Sequence, residues 1–102
     1  MNRAVFGTVA ERESGRPVMG IVIIAAKVIS EGLEVLGGAV SGDWGHFRIT
    51  YSPVAVPVDL TLLLFSDAGR LLFREPVHRG IAGAELSLRV EVPLARLRPE
   101  MN

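Results

Sequence analysis

Apolar and polar residues alternate along much of this chain. Residues 86–92 read LSLRVEV, with a leucine or valine at every second position, and residues 46–51 repeat the pattern with Phe47, Ile49 and Tyr51. A period of two is typical of a strand with one face in a core and the other in water. No window shows the 3.6-residue stripe and cap of a helix. The pattern therefore predicts half-buried β-strands.

Turn-forming residues separate these segments. Asp67, Ala68 and Gly69 resemble a type I turn closed by a glycine with positive φ. Turn signals at intervals of roughly 6 to 12 residues are typical of β-sandwiches. We therefore predict an all-β fold, a seven-stranded antiparallel β-sandwich over residues 1–95, followed by a C-terminal tail over 96–102. The predicted strands cover residues 3–10, 18–29, 33–40, 45–51, 59–66, 70–76 and 85–93.

Two of these strands are apolar on both faces. Residues 60–65 contain one polar residue, Thr61, and residues 22–26 contain none. If Leu62 and Leu64 point into the core, Leu63 and Phe65 point outward. Burying one leucine is worth about 1.5–3 kcal/mol, so several together could hold an interface with a second copy or a larger assembly. Alternatively, the loops around residues 53–57 and 80–83 cover this face.

Composition excludes several classes of function. The longest apolar run, residues 18–29, is interrupted by Gly20 and Lys27 and is too short for a membrane span, and no export signal is visible. We therefore expect no membrane insertion and favour synthesis in the cytoplasm. The absence of cysteine excludes disulfides and thiolate chemistry. Eleven basic residues offset eleven acidic ones without forming a stripe, so no nucleic-acid partner is expected.

Two motifs resemble the carboxypeptidase regulatory-like domain, a transthyretin-like Greek-key sandwich. Residues 7–22, GTVAERESGRPVMGIV, are similar to the opening of that family, and residues 43–47, DWGHF, are similar to its step into the fourth strand. Trp44 replaces the acidic or amide residue that is usual before the glycine. The resemblance implies a non-catalytic appendage that stabilises, spaces or docks larger machines. The residues that carry these motifs are Gly7, Gly15, Pro17, Gly20, Gly45 and Phe47.

Catalytic and metal chemistry have little support. His46 and His78 are the two histidines, and no serine lies in a G-x-S-x-G elbow. Asp43, Asp59 and Asp67 are isolated, which favours turn chemistry over a calcium site shared between loops. We predict no catalytic residue, no metal site and no cofactor.

Two enzyme families with related sandwiches do not fit either. The hydroxyisourate hydrolases carry a C-terminal Tyr-Arg-Gly-Ser segment and a pair of histidines, whereas this chain ends in PLARLRPEMN. The intradiol dioxygenases bind iron through two tyrosines and two histidines, whereas Tyr51 is the one tyrosine here. The sequence therefore predicts a non-enzymatic domain.

Trp44 is the most prominent candidate for a binding residue. We expect its indole to fold back over the end of the sandwich; the alternative is an exposed indole that stacks on a sugar or enters a protein partner. His46 and Arg48, which follow on the outward face of their strand, could line the same surface.

The favoured hypothesis is a structural or protein-interaction module that self-associates or docks on a larger assembly, and analogy of fold suggests a secretion or phage-like machine. The alternative is a carbohydrate-binding accessory domain that uses the Trp44 loop.

Overall fold

Two β-sheets pack face to face in the computed structural model, which describes residues 2–52 and 57–97. The all-β sandwich predicted from the alternation is therefore confirmed. Within the described residues there are eight strands, one 3₁₀ turn over Asp43–Gly45 and one short helix, α1, over Leu94–Leu97. The strands are β1 (Arg3–Glu11), β2 (Val22–Ile29), β3 (Gly32–Val40), β4 (His46–Tyr51), β5 (Val58–Phe65), β6 (Leu71–Arg74), β7 (His78–Ile81) and β8 (Glu85–Val92).

Sheet A contains three strands in the order β4-β1-β8. β1 pairs antiparallel with β4, but it pairs parallel with β8 over Ala4 to Glu11. The prediction of a purely antiparallel sandwich is therefore wrong for this sheet. Half-buried strands show the same alternation in either orientation, so the sequence pattern does not report strand direction.

Sheet B contains five strands, in the order β3-β2-β5-β6 with β7 also paired to β5. All of its pairs are antiparallel. The prediction of seven strands is wrong because residues 78–81 form β7, where the sequence predicts a loop around residues 80–83. This strand is only four residues long and contains Gly80 at φ 68°, so it carries the signature of a turn.

The core lies between the two sheets and follows the predicted alternation. Phe47, Ile49 and Tyr51 of β4 point inward, and Ile23 and Leu64 of sheet B meet them from the other side. The other large apolar side chains that are fully buried are Val5, Val9, Leu60, Leu62, Val90 and Val92.

Residues 18–21 are not part of the second strand, contrary to the prediction, and β2 begins at Val22. Pro17 makes an isolated bridge to Ala10, and the chain then turns at Gly20, whose N–H donates to the Ser41 carbonyl at 2.8 Å. Proline has no backbone N–H to donate. Because Pro17 lies outside the strand interiors, no hydrogen bond between paired strands is lost.

The turn predicted at Asp67, Ala68 and Gly69 is confirmed. The Gly69 N–H donates to the Ser66 carbonyl at 2.9 Å, and the Ser66 N–H donates to the Arg70 carbonyl at 2.8 Å. Gly69 has φ 88°, which suits glycine best. The other predicted motif glycines with positive φ are Gly15, Gly20 and Gly45.

Helix α1 follows β8, and its Leu97 packs against the core. The predicted tail therefore begins inside an ordered helix at Arg96, and residues 98–102 lie outside the described part of the chain. Among the described residues, no helix is long and apolar enough to cross a membrane.

Candidate functional site

Trp44 is exposed, so the expectation that its indole covers the end of the sandwich is wrong. The residue is 77% exposed and has φ 63°, the left-handed conformation. That end is closed instead by Gly45, which is buried and has no room for a β-carbon against the Val9 carbonyl oxygen. Because Gly45, the residue after Trp44, occupies the buried position of the turn, the Trp44 side chain points into solvent.

Ser41 stabilises the same end of the molecule through hydrogen bonds. Its buried hydroxyl accepts a hydrogen bond from the Ile21 N–H at 2.9 Å and donates one to the Val18 carbonyl at 2.8 Å. The Ser41 N–H also donates to the Ile21 carbonyl at 2.8 Å. One serine therefore joins the loop that carries Trp44 to residues 18–21, a role that the sequence alone did not reveal.

His46 and Arg48 lie on the outer face of sheet A, as predicted. His46 is in register with Thr8, and Thr8 in turn with Arg89. In the next row, Arg48 is in register with Phe6, and Phe6 with Ser87. Two neighbouring rows of three side chains therefore cross the middle of the sheet.

These two rows line an open groove of about 790 Å³. The groove continues past β4 to the end of β3, and Trp44 does not line it. The three predicted binding residues are therefore not one site, because His46 and Arg48 share the groove and Trp44 stands apart. The residues of the outer face of sheet A that line the groove are Phe6, Thr8, His46, Arg48, Ser87 and Arg89.

Both arginines of the groove have acidic neighbours. The Arg48 guanidinium lies 5.3 Å from the centre of the Phe6 ring and donates to Glu85 at 3.1 Å. Arg89 donates from Nε to Glu91 at 3.3 Å. Both ion pairs are solvent-exposed, and such pairs contribute only about 0–1 kcal/mol.

The outer face of sheet B is apolar. Cross-strand pairing places two exposed rows on it, built around Val22 and Ile24 of β2, and Arg74 is the one charged residue in these rows. We call this surface, together with exposed Val35 beside it, the apolar face. Its rows are Val40-Val22-Phe65-Leu71 and Gly38-Ile24-Leu63-Arg74, whereas Ala26 and Thr61, the register partners next to Val35, are fully buried.

The sidedness predicted for β5 is confirmed on this face. Leu62 and Leu64 are buried in the core, whereas Leu63 and Phe65 are half-buried on the outside. The rim is more open, since Val35 is 65% exposed and Val40 is 60% exposed. Loop cover from residues 53–56 lies outside the described part of the chain.

The two histidines lie in different sheets, His46 in β4 and His78 in β7. His78 Nε2 lies 3.7 Å from Glu75 Oε1, beyond hydrogen-bond distance, and makes no hydrogen bond within the described residues. Burial raises the pKa of Glu75, and the charges of His78 and Arg12 partly oppose that rise. Within residues 2–52 and 57–97, no three acidic or imidazole side chains group as metal ligands.

Known proteins resemble this chain in fold rather than in sequence. No family model and no curated protein matches it. A 9R-lipoxygenase from Cyanothece PCC8801 is similar over 90% of this chain with a TM-score of 0.67 and 16% identity. This chain spans only 16% of the lipoxygenase chain.

An alternative pilotin from the type II secretion system of Vibrio cholerae is also similar, with a TM-score of 0.55 and 14% identity. The match covers 90% of this chain and 97% of the pilotin. At such low identities both likenesses concern the fold alone.

Proposed function

We propose that this domain is a non-catalytic protein-interaction module that associates with a second copy through the apolar face. The observation that carries the proposal is two adjacent rows of mainly aliphatic and aromatic side chains on an outer sheet surface, with exposed Val35 beside them, interrupted by the single charge of Arg74. Exposed contiguous apolar patches on soluble proteins mark interaction sites.

A second copy satisfies what the apolar face requires of a partner. The partner must be nearly free of charge, because an unpaired charge buried against Ile24 or Leu63 would be costly. It must also match the shape of a sheet. The same face on another copy meets both conditions, because its one charge, Arg74, is exposed and lies on β6 at the edge of the sheet, where the guanidinium can stay in water. A two-fold axis then brings identical surfaces together.

The size of the face sets the strength of the association. Two rows, each about 6.8 Å deep, across four strands about 4.8 Å apart give roughly 260 Å², and Val35 brings the face to about 300 Å², the lower end of the range of the largest patches on monomers. Two such faces bury about 600 Å², well below the ~1,200–2,000 Å² of standard interfaces. The expected dimer is therefore reversible and dissociates on dilution.

The pilotin likeness supports the same class of function. The match covers nearly all of both chains, so a chain of this fold and similar length serves as an alternative pilotin in a type II secretion system. For the present chain, we propose from this likeness only that it takes part in a protein assembly. The resemblance of two sequence motifs to the carboxypeptidase regulatory-like domain likewise implies docking or spacing, and it remains a prediction.

Sedimentation velocity as a function of concentration tests the proposal. The wild type should shift from monomer to dimer, and Val35→Lys combined with Val40→Lys should remain monomeric with an unchanged circular-dichroism spectrum. Met19→Lys is the matched control, because Met19 is 67% exposed but lies outside the rows of the apolar face. A wild type that stays monomeric at millimolar concentration, or a dimer that tolerates both lysines, overturns the proposal.

The exposure of Trp44 favours a second candidate function, carbohydrate binding. An exposed indole on a tight turn can stack on a sugar ring. A glycan array should then show binding that Trp44→Ala abolishes and that the lysine variants of the apolar face retain. Binding that persists in Trp44→Ala, or no binding at all, eliminates this candidate.

A further inference from the structure

The groove on sheet A joins an aromatic floor to a set of hydrogen-bond donors. Phe6 provides the floor, and Thr8 lies beside it at the centre of the sheet. His46 and Arg89 flank Thr8 in its own cross-strand row. Residues directly opposite one another on a sheet are about 4.5–5.5 Å apart at Cβ, so one ligand group above Thr8 can reach both neighbours.

The hydrogen-bond donors of the groove are only partly used in contacts within the protein. A guanidinium carries five N–H groups, and Arg48 and Arg89 each give one nitrogen to a carboxylate. Within the described residues, the Thr8 and Ser87 hydroxyls make no hydrogen bond to the protein. Among the described residues that line the groove there is no carboxylate, and Glu85 and Glu91 reach Arg48 and Arg89 from outside it. The lining therefore presents positive and neutral hydrogen-bond donors to a ligand.

We propose that this groove binds an organic anion, a carboxylate or phosphate group joined to a planar apolar body. The planar body lies against Phe6, beside the Arg48 guanidinium, and the anionic group takes hydrogen bonds from Arg48, Arg89 and Thr8. Arginine pairs with carboxylate and phosphate through two parallel N–H bonds, which fixes the orientation of the ligand. The volume of about 790 Å³ is ample for such a molecule.

The exposed ion pairs with Glu85 and Glu91 do not prevent this binding. Each contributes about 0–1 kcal/mol, so a ligand anion can share or replace the carboxylate at little cost. The groove and the apolar face meet at one residue, Val40 at the end of β3. The proposed ligand contacts, Phe6, Thr8, Arg48 and Arg89, all lie in sheet A, so their substitution leaves the rows of the apolar face in sheet B unchanged. The failure of one proposal therefore leaves the other standing.

Titration of the ¹⁵N-labelled protein with four probes tests the inference by amide shifts at Thr8 and Ser87. Phenyl phosphate and benzoate carry both halves of the ligand, inorganic phosphate carries the anion alone, and benzyl alcohol carries the ring alone. Phenyl phosphate or benzoate should bind at least about tenfold more tightly than either half-probe. The stronger of the two identifies the anionic group.

Substitution of the two groove arginines tests whether the probe binds in the groove. Arg48→Gln and Arg89→Gln should each weaken the stronger probe by about tenfold, as expected when a charged hydrogen-bond donor is lost. Arg79→Gln is the matched control, because Arg79 is also an exposed arginine paired with a carboxylate, Asp59, but lies in sheet B. Equal weakening by all three variants, or no amide shift with millimolar probe, overturns the inference.

Discussion

Gly7 of β1 lies directly against the backbone of Leu88 in β8, with no space for a β-carbon beside the Leu88 carbonyl oxygen. The contact occurs within the parallel pairing of the first and last strands, where Gly7 and Leu88 are register partners. The motif glycine singled out from the sequence is therefore required by close approach of two strands. Its role is to let the two ends of the chain share sheet A.

Gly7→Ala should lower the free energy of unfolding by about 2 kcal/mol or more, because the added methyl displaces a strand backbone rather than a flexible side chain. Urea denaturation measures this. Gly42→Ala is the control, since its β-carbon would be 4.0 Å from the nearest atom, the His46 carbonyl oxygen, and the backbone there is extended. Equal effects of the two variants contradict the close-approach argument.

A second pair of glycines separates backbone strain from crowding. Gly45 and Gly69 both have positive φ, 73° and 88°, but a β-carbon at Gly69 meets nothing within 4 Å. Gly69→Ala should therefore cost about 1–2 kcal/mol from the left-handed conformation alone. Gly45→Ala should cost clearly more, because its methyl also strikes the Val9 carbonyl. Thermal unfolding of both variants checks the order, and a larger loss at Gly69 contradicts it.

Alternation and turn chemistry made most of this fold predictable. β4 and β8 follow the expected in-out pattern residue by residue, and the Asp67–Gly69 turn forms as its residues indicate. The parallel pairing of β8 and the short β7 were not predictable, because alternation carries no direction and Gly80 looks like a loop residue. The direction of β8 and the formation of β7 both depend on the strands with which they pair in the folded protein, rather than on their own sequences.

Ser41 is the residue whose role only the structure reveals. Ser41→Ala should lower the free energy of unfolding by about 1–3 kcal/mol, because the Ile21 N–H would lose its buried hydroxyl partner. Ser14→Ala removes an exposed hydroxyl that bonds Glu11 and should change stability by much less. Urea denaturation of the two variants compares them, and a loss at Ser14 equal to that at Ser41 contradicts the assignment.

Trp44 combines a strained backbone with an exposed side chain, so it adds little to the fold. Asparagine tolerates φ near 63° better than tryptophan does, and Trp44→Asn should leave stability unchanged or raise it by about 0.5–1 kcal/mol. Thermal unfolding measures the change. A loss of 2 kcal/mol or more would show that the indole packs on the fold.

The candidate sites were predictable in part. His46 and Arg48 are on the outward face because of the alternation around Phe47, and the apolar excess of residues 60–65 pointed to an uncovered face. The partners that complete the groove, Thr8, Ser87 and Arg89, come from strands distant in sequence. Only the register of β1 with β4 and β8 brings them together, and a single sequence carries no signal for that register.

Glu75 should make stability depend on pH in an unusual direction. Burial raises its pKa in the folded protein above the ordinary 4.5, despite the opposing charges of His78 and Arg12. A carboxyl whose folded pKa is raised stabilises the fold while it is protonated, and this contribution is lost as the pH rises through the folded pKa. Glu75→Gln, which is neutral at every pH, should therefore be more stable than the wild type at pH 7 and equal to it below 4.5.

Urea denaturation of the wild type and Glu75→Gln across this pH range measures the difference. Glu85→Gln is the control, because Glu85 is exposed and its ion pair with Arg48 is worth about 0–1 kcal/mol. That variant should be no more stable than the wild type at pH 7. If Glu75→Gln is instead less stable at pH 7, the attraction of His78 and Arg12 outweighs the cost of burying the carboxylate, and the assigned sign of the pKa change is wrong.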